Sequence, residues 1–218
     1  MPVNEKLKFI LQLFHYIWPI NFTIASHTME EYYSLLRKHI EEVNPLTDLE
    51  WETVAACFAY KKLRKHQFIV QKDELVHYKA WIIKGLSKTY AIDSEGKEHI
   101  LQFAMEQYWT SDFKAYQNKT PATMFIDCIE DSEFFCIRLE DREKLCHEIP
   151  EMANFFRVKS HYGYIALEQR IMSLLTETAE TRYNNLVKKF PLLIQRVPKK
   201  LLASYLGMTR ETLSRLKG

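Results

Sequence analysis

The chain has 218 residues, 47 % hydrophobic and 27 % charged, with a net charge of +2. That is enough for one large domain or two small ones and is ordinary for a soluble globular protein; only 5 glycines and 7 prolines exclude a collagen-like, low-complexity or disordered chain. Cys57, Cys128, Cys136 and Cys146 form no CxxC pair, which excludes zinc-type and iron–sulfur spacings; scattered thiols of this kind point to reduced core residues in a cytoplasmic protein.

The amino-terminal stretch KLKFILQLFHYIWPINFTIA, Lys6 to Ala25, has the lysines and apolar run of a weak signal peptide. Gln12, His15 and Pro19 interrupt it, and it is short for a membrane span. Met29 is the favoured start, which would make residues 1–28 an extension that is not native. After Met29 the spacing of Tyr32, Leu35, Leu36 and Ile40 predicts an amphipathic helix. A second helix is predicted over TDLEWETVAACFAYKKLRK, with Thr47 as N-cap and Glu50 completing a capping box.

From Gln67 to Arg138 the texture changes to short β-branched and aromatic runs: QFIVQK, AWIIKGLSKTYAI, EHILQFAM, ATMFIDCIE and EFFCIRL. Turn signals such as Asp93-Ser94-Glu95-Gly96 separate them, which predicts a β-sandwich or β-roll. Pro150 then opens a long helix. Met152, Phe155, Phe156, Lys159, Tyr162, Ala166 and Gln169 or Arg170 follow one stripe of it, and Val158, Ile165, Met172 and Leu175 another. A helix with two such faces is expected to cover the roll with one and to meet a second copy of itself with the other. LLIQRV, between Pro191 and Pro198, reads as a short strand.

The charge is uneven. From Lys188 to Gly218 eight cations stand against one anion, Glu211, so this end carries +7 and the remainder −5. A basic end on an acidic body suggests a polyanion-binding module. Its pattern sharpens that reading. In KKLLASYLGMTRETLSRLKG, Ala203 is small where helices would approach closely, Gly207 stands where positive φ ends a helix, and Thr209 caps a second one. Helix, tight turn, helix is the helix-turn-helix unit. The start of its second helix faces base edges, here Thr209, Arg210, Glu211, Ser214 and Arg215. Arginine can fork onto guanine and glutamate can accept from cytosine. Lys199, Lys200 and Lys217 suit phosphate contacts.

A β-rich middle, a long helix and a terminal TRETLSR segment, Thr209 to Arg215, resemble the Crp/Fnr superfamily of bacterial transcription regulators, over about residues 30–218. The whole chain looks like the group of these regulators found in Bacteroidetes-type bacteria. The resemblance implies an α+β fold. Residues 29–148 would form a cyclic-nucleotide-binding-like double-stranded β-helix (a jelly-roll-like β-roll), 149–177 a dimerisation helix, and 178–218 a winged-type helix-turn-helix domain, with LLIQRV as half of the wing. It also implies a homodimer through residues 150–175, a near-palindromic DNA operator, RNA polymerase as a partner, and an effector acting through the roll.

The cyclic-AMP cassette of the family, Gly-Glu followed by Arg-Ser, is not matched. Ser111-Asp112 and Ala122-Thr123 stand at those positions, without the arginine a buried phosphate wants. Leu167 and Glu168 fall where cyclic-AMP binders place hydroxyl groups, and a buried glutamate would repel a phosphate. No cofactor is therefore assigned, and the effector is expected to differ from cyclic AMP. Trp109, Asp112 and Thr123 are the ligand candidates in that segment. Residues 1–56 lack cysteine, unlike the oxygen-sensing branch. A cupin-type metal oxygenase is the rival enzyme reading, but His66, His77 and His99 stand singly and no HxH pair exists, so no enzyme and no metal are expected. A ligand-binding or interaction module without specific DNA binding is the other alternative.

Overall fold

The computed structural model describes residues 28–216, so the expectation for residues 1–28 lies almost wholly outside it, as does Lys217. The described residues divide into two compact units: residues 28–57 with 143–163, and residues 58–142 with 164–216.

The first unit is helical. Helix α1 (Met29–Glu41) and helix α2 (Asp48–Ala56) each begin with a complete capping box, Thr28 with Glu31 and Thr47 with Glu50. The second box was legible in the sequence. Tyr32, Leu36 and Ile40, one turn apart on α1, are buried. The same unit takes the end of α4 (Leu139–Glu148) and the beginning of the long α5 (Pro150–Thr176), with Leu145, Met152, Phe155 and Phe156 buried. Phe155 meets the His39 ring edge-on at 5.6 Å.

The helix expected to run on from Thr47 stops at Ala56, and Ala59–Leu63 is strand β1. Tyr60 and Lys62, alternate residues and so on one face, both bond Glu133 on the neighbouring strand, at 2.8 and 3.1 Å. Pairing of this edge overrides the local helical preference of YKKLRK.

The second unit holds two four-stranded antiparallel sheets, β1-β8-β3-β6 and β2-β7-β4-β5. The strands are β2 (Phe68–Val70), β3 (Tyr78–Lys84), β4 (Ser87–Ile92), β5 (Glu98–Ala104), β6 (Trp109–Thr110), β7 (Phe125–Cys128) and β8 (Ser132–Arg138). One core joins both sheets: Ala80, Ile82, Phe134 and Cys136 from the first meet Val70, Ala104, Ile126 and Cys128 from the second. The β3–β4 hairpin needs Gly85, at φ +111°, because a Cβ there would lie 2.3 Å from Ser132 Oγ. A short helix, α3 (Phe113–Asn118), crosses between β6 and β7.

Beyond α5 every regular element among the described residues is a helix: α6 (Ala179–Lys189), α7 (Pro191–Arg196), α8 (Lys199–Tyr205) and α9 (Arg210–Leu216). The strand expected at LLIQRV, and with it the half-wing, is instead α7. Three apolar residues in a row carry no decisive period. Pro191 takes the first helical turn, where its missing N–H costs nothing, and Leu193 and Val197 are buried one turn apart.

Candidate nucleic-acid interface

Helix α8 ends in a double-bonded turn. Met208 N donates to Ala203 O at 3.0 Å and Gly207 N to Ser204 O at 3.1 Å, the two bonds of a Schellman motif. Gly207 has φ +66°, the left-handed conformation that the motif needs and that glycine adopts without strain. Two residues on, Thr209 Oγ1 accepts from Thr212 N at 3.2 Å and caps α9. Leu202, Ala203, Leu206 and Leu213 are buried and lock the two helices together. Ala203, Gly207 and Thr209 thus do what their sequence positions suggest.

The outward face of α9 presents Arg210, Glu211, Ser214 and Arg215, all exposed, with Leu213 turned inward between them. Glu211 is held below the usual carboxylate value, chiefly by hydrogen bonds at the helix start, its own backbone N–H first and Thr209 next, with a smaller attraction from Arg210 and Arg215. It is therefore ionised and acceptor-only at neutral pH. Thr209 is exposed, and its hydroxyl is already committed to the cap. Lys199 and Lys200 are exposed at the start of α8.

Not every cation of the basic segment is free for DNA. Arg196, counted in the +7 segment, is engaged by two carboxylates of the roll: Glu106 at 2.8 and 3.0 Å and Glu130 at 2.7, 3.1 and 3.2 Å. Two further arginines cover the end of α8, neither read from the sequence as part of a site. Arg182 Nε donates to Leu206 O at 2.8 Å, and Arg170 Nη2 to Tyr205 O at 2.9 Å. No motif marks such residues in a sequence, because their partners are backbone carbonyls.

The roll candidates fall into two places. Asp112 is fully buried and N-caps α3. Its carboxylate accepts from Ala115 N (3.0 Å), Thr123 N (2.8 Å) and Thr123 Oγ1 (2.9 Å). Burial alone would raise this carboxyl, but those hydrogen bonds, with one from the Lys114 N–H, outweigh it and hold it below its ordinary value. Trp109 lies elsewhere. It pairs with Trp81, whose neighbours Ala80 and Ile82 point into the core, so Trp81 and Trp109 share the opposite face of the sheet. Lys79 Nζ sits 4.5 Å over the Trp109 ring, and Phe58 lies beside it at 6.3 Å. Leu167 and Glu168 are exposed, so the buried glutamate expected near a ligand does not occur.

On α5 the buried end of the first stripe, Met152 to Phe156, belongs to the helical unit rather than the roll. Further along, Tyr164, Leu167, Ile171, Leu174 and Leu175 are 40–76 % exposed at three- and four-residue spacing. Of the second expected stripe, Met172 and Leu175 are exposed and Val158 and Ile165 half-buried. Among the described residues no helix is long and apolar enough to cross a membrane, and no group of three or more His, Cys, Asp or Glu could hold a metal ion.

The β-roll, the long helix and the C-terminal helix-turn-helix give this chain a fold shared with solved proteins of low sequence identity. Among solved structures it is similar to FixK2 from Bradyrhizobium japonicum, with 18 % identity over 73 % of this chain and 82 % of that one and a TM-score of 0.64. It is also similar to CLP, the c-di-GMP-responsive global regulator of Xanthomonas campestris (12 % identity, 78 % and 89 % covered, TM-score 0.64). A third neighbour is a Eubacterium rectale protein assigned to the Crp/Fnr family (14 % identity, 85 % of each chain, TM-score 0.62). No family profile and no curated protein sequence matches the chain.

Proposed function

We propose that the protein is a sequence-specific DNA-binding transcription regulator that acts as a homodimer in the cytoplasm. The carrying observation is the exposed Arg210, Glu211, Ser214 and Arg215 face, on a helix whose entry is fixed by the Gly207 turn and the Thr209 cap. Arg210 and Arg215 would fork onto guanines, Glu211 would accept from a cytosine, and Lys199, Lys200 and Lys217 would meet phosphates. The apolar row Tyr164, Leu167, Ile171 and Leu174 has heptad spacing and would pair with the same row of a second copy. Two recognition helices would then address half-sites about 34 Å apart, with RNA polymerase as the downstream partner.

An effector would act through the roll by shifting the population with that spacing. CLP responds to c-di-GMP. In this chain the donors around α3 already serve the Asp112 carboxylate, which favours a signal other than a cyclic nucleotide at that turn.

Selection of a random-sequence DNA pool at fixed near-physiological salt, with Arg210→Ala in parallel, tests the reading. A near-palindromic site enriched by the wild type and lost in the variant is expected. Equal binding by both proteins without any motif would leave only electrostatic attraction, and the chain would then be a sensor or interaction module.

A further inference from the structure

The mooring of the helix-turn-helix to the roll goes beyond the recognition face itself. Three turns of the roll converge at one place: Gly85 between β3 and β4, Glu106 after β5, and Glu130 after β7. Gly85 N donates to Glu106 Oε1 at 2.9 Å and fixes that carboxylate. Glu106 and Glu130 together hold the Arg196 guanidinium, which sits at the end of α7, three residues before Lys199 opens α8. All three side chains are at most 36 % exposed. Burial would by itself lower the Arg196 pKa, but the hydrogen bonds it donates to Glu130 and Glu106 raise it instead. A planar fork between two carboxylates has one orientation, unlike a lysine contact.

A second point of attachment lies on β5. Ser204 Oγ donates to Glu98 O at 2.8 Å and accepts from Ile100 N at 3.3 Å, and Phe103 packs on Tyr205 at 5.1 Å. Arg170, from α5, stacks 3.7 Å over the Tyr205 ring and donates to Ile100 O at 3.0 Å. The attachments use α7 and the far end of α8. They leave Lys199, Lys200 and the outward face of α9 exposed.

We propose that Arg196 is a positioning residue for operator recognition: clamped between Glu106 and Glu130, it fixes the direction in which the roll presents the recognition helix. This rests on the DNA-binding reading above. A two-fold operator rewards two helices held at one separation, so orientational freedom at either one weakens specific binding while leaving phosphate attraction intact.

The test compares the full-length wild type with Arg196→Gln, with Glu106→Gln/Glu130→Gln, and with the triple variant. Affinity is measured for the operator selected by the wild type and for a scrambled duplex, each across a salt series, and amide hydrogen exchange is followed. Operator affinity is expected to fall about tenfold in Arg196→Gln, equally in the double variant and no further in the triple, because the three residues form one interaction. Scrambled-duplex affinity and its salt slope stay unchanged. Exchange across residues 179–216 rises while strands β3 and β8 stay protected. Arg196→Lys behaves like Arg196→Gln. Unchanged exchange across 179–216 overturns the proposal whatever the DNA result. So does a wild-type level of operator preference in Arg196→Gln, or a higher one. Failure of the DNA-binding reading itself looks different: the wild type would not distinguish operator from scramble.

Discussion

Replacing Asp112 with alanine tests whether the turn that resembles a ligand cassette is closed on its own carboxylate. The side chain is fully buried, caps α3 and accepts from Ala115 N, Thr123 N and Thr123 Oγ1 at 2.8–3.0 Å. Loss of an N-cap costs about 1 kcal/mol. That loss already includes the Ala115 N–H left without its acceptor; Thr123 N, orphaned as well, adds about 1 kcal/mol. Together that is roughly 2 kcal/mol, or a fall in Tm of about 4–8 °C for a chain of this size. Chemical denaturation and calorimetry should both report it. Asp112→Asn should fall between, since one amide oxygen still accepts while the amide nitrogen turns a donor towards a donor.

The pH arm has a definite sign. The folded carboxyl lies below its unfolded value, so its contribution is present above the unfolded pKa and is lost as pH falls through the folded one. The acid limb of wild-type stability should therefore be steeper than that of Asp112→Asn. A loss below about 1 kcal/mol in Asp112→Ala would refute the reasoning. A rise in wild-type Tm on adding millimolar cyclic AMP would do so too, because the donors would then be yielding to a ligand.

Three further outcomes are expected. Burial, with a smaller push from Lys159, holds the His39 imidazole well below its usual range; Glu42 lies 3.5 Å from Nδ1 and is itself paired to Lys159 at 3.0 Å. A depressed folded pKa means stability that is complete above about pH 6.5 and declines below it, so His39→Leu should flatten the plot of Tm against pH between 6.5 and 5, and an unchanged slope would contradict this. Ile171→Glu, at a half-exposed position, should fold normally yet weaken self-association at least about 100-fold in sedimentation equilibrium, since a dimer would bury an unpaired charge. Gly207→Ala should destabilise the α8–α9 turn by about 1–2 kcal/mol, because its φ is +66° and its Cβ would sit 3.3 Å from Leu174 Cδ2; faster exchange at the α9 amides reads it.

The functional face was more legible in the sequence than its mounting. Ala203, Gly207 and Thr209 could be read because a tight turn between helices admits few residue types at fixed offsets, and such local constraints leave a mark in one sequence. The capping box at Thr47 and Glu50 was readable for the same reason. Strand β1 and helix α7 were misread, because YKKLRK and LLIQRV carry no strong period: the first takes its form from a partner distant in the chain, Glu133, and the second from the burial of its own Leu193 and Val197. Arg196 illustrates the same limit. Counted by charge it looked like part of a DNA-binding tail, and only three converging turns of the roll reveal its two carboxylates. The division of α5 also escaped periodicity: apolar residues ring much of the helix, and the fold decides that Phe155 is buried while Leu175 stands 76 % exposed.

Specific base reading by α9 is the central claim, and the measurement that bears on it most directly is the ratio of operator to scrambled-duplex affinity for the wild type and Arg210→Lys across a salt series. Lysine keeps the charge and loses the fork. The account predicts a large ratio for the wild type, a ratio near one for Arg210→Lys, and the same salt slope for both proteins on scrambled DNA. Equal ratios for the two proteins would contradict it, since charge alone would then explain the binding.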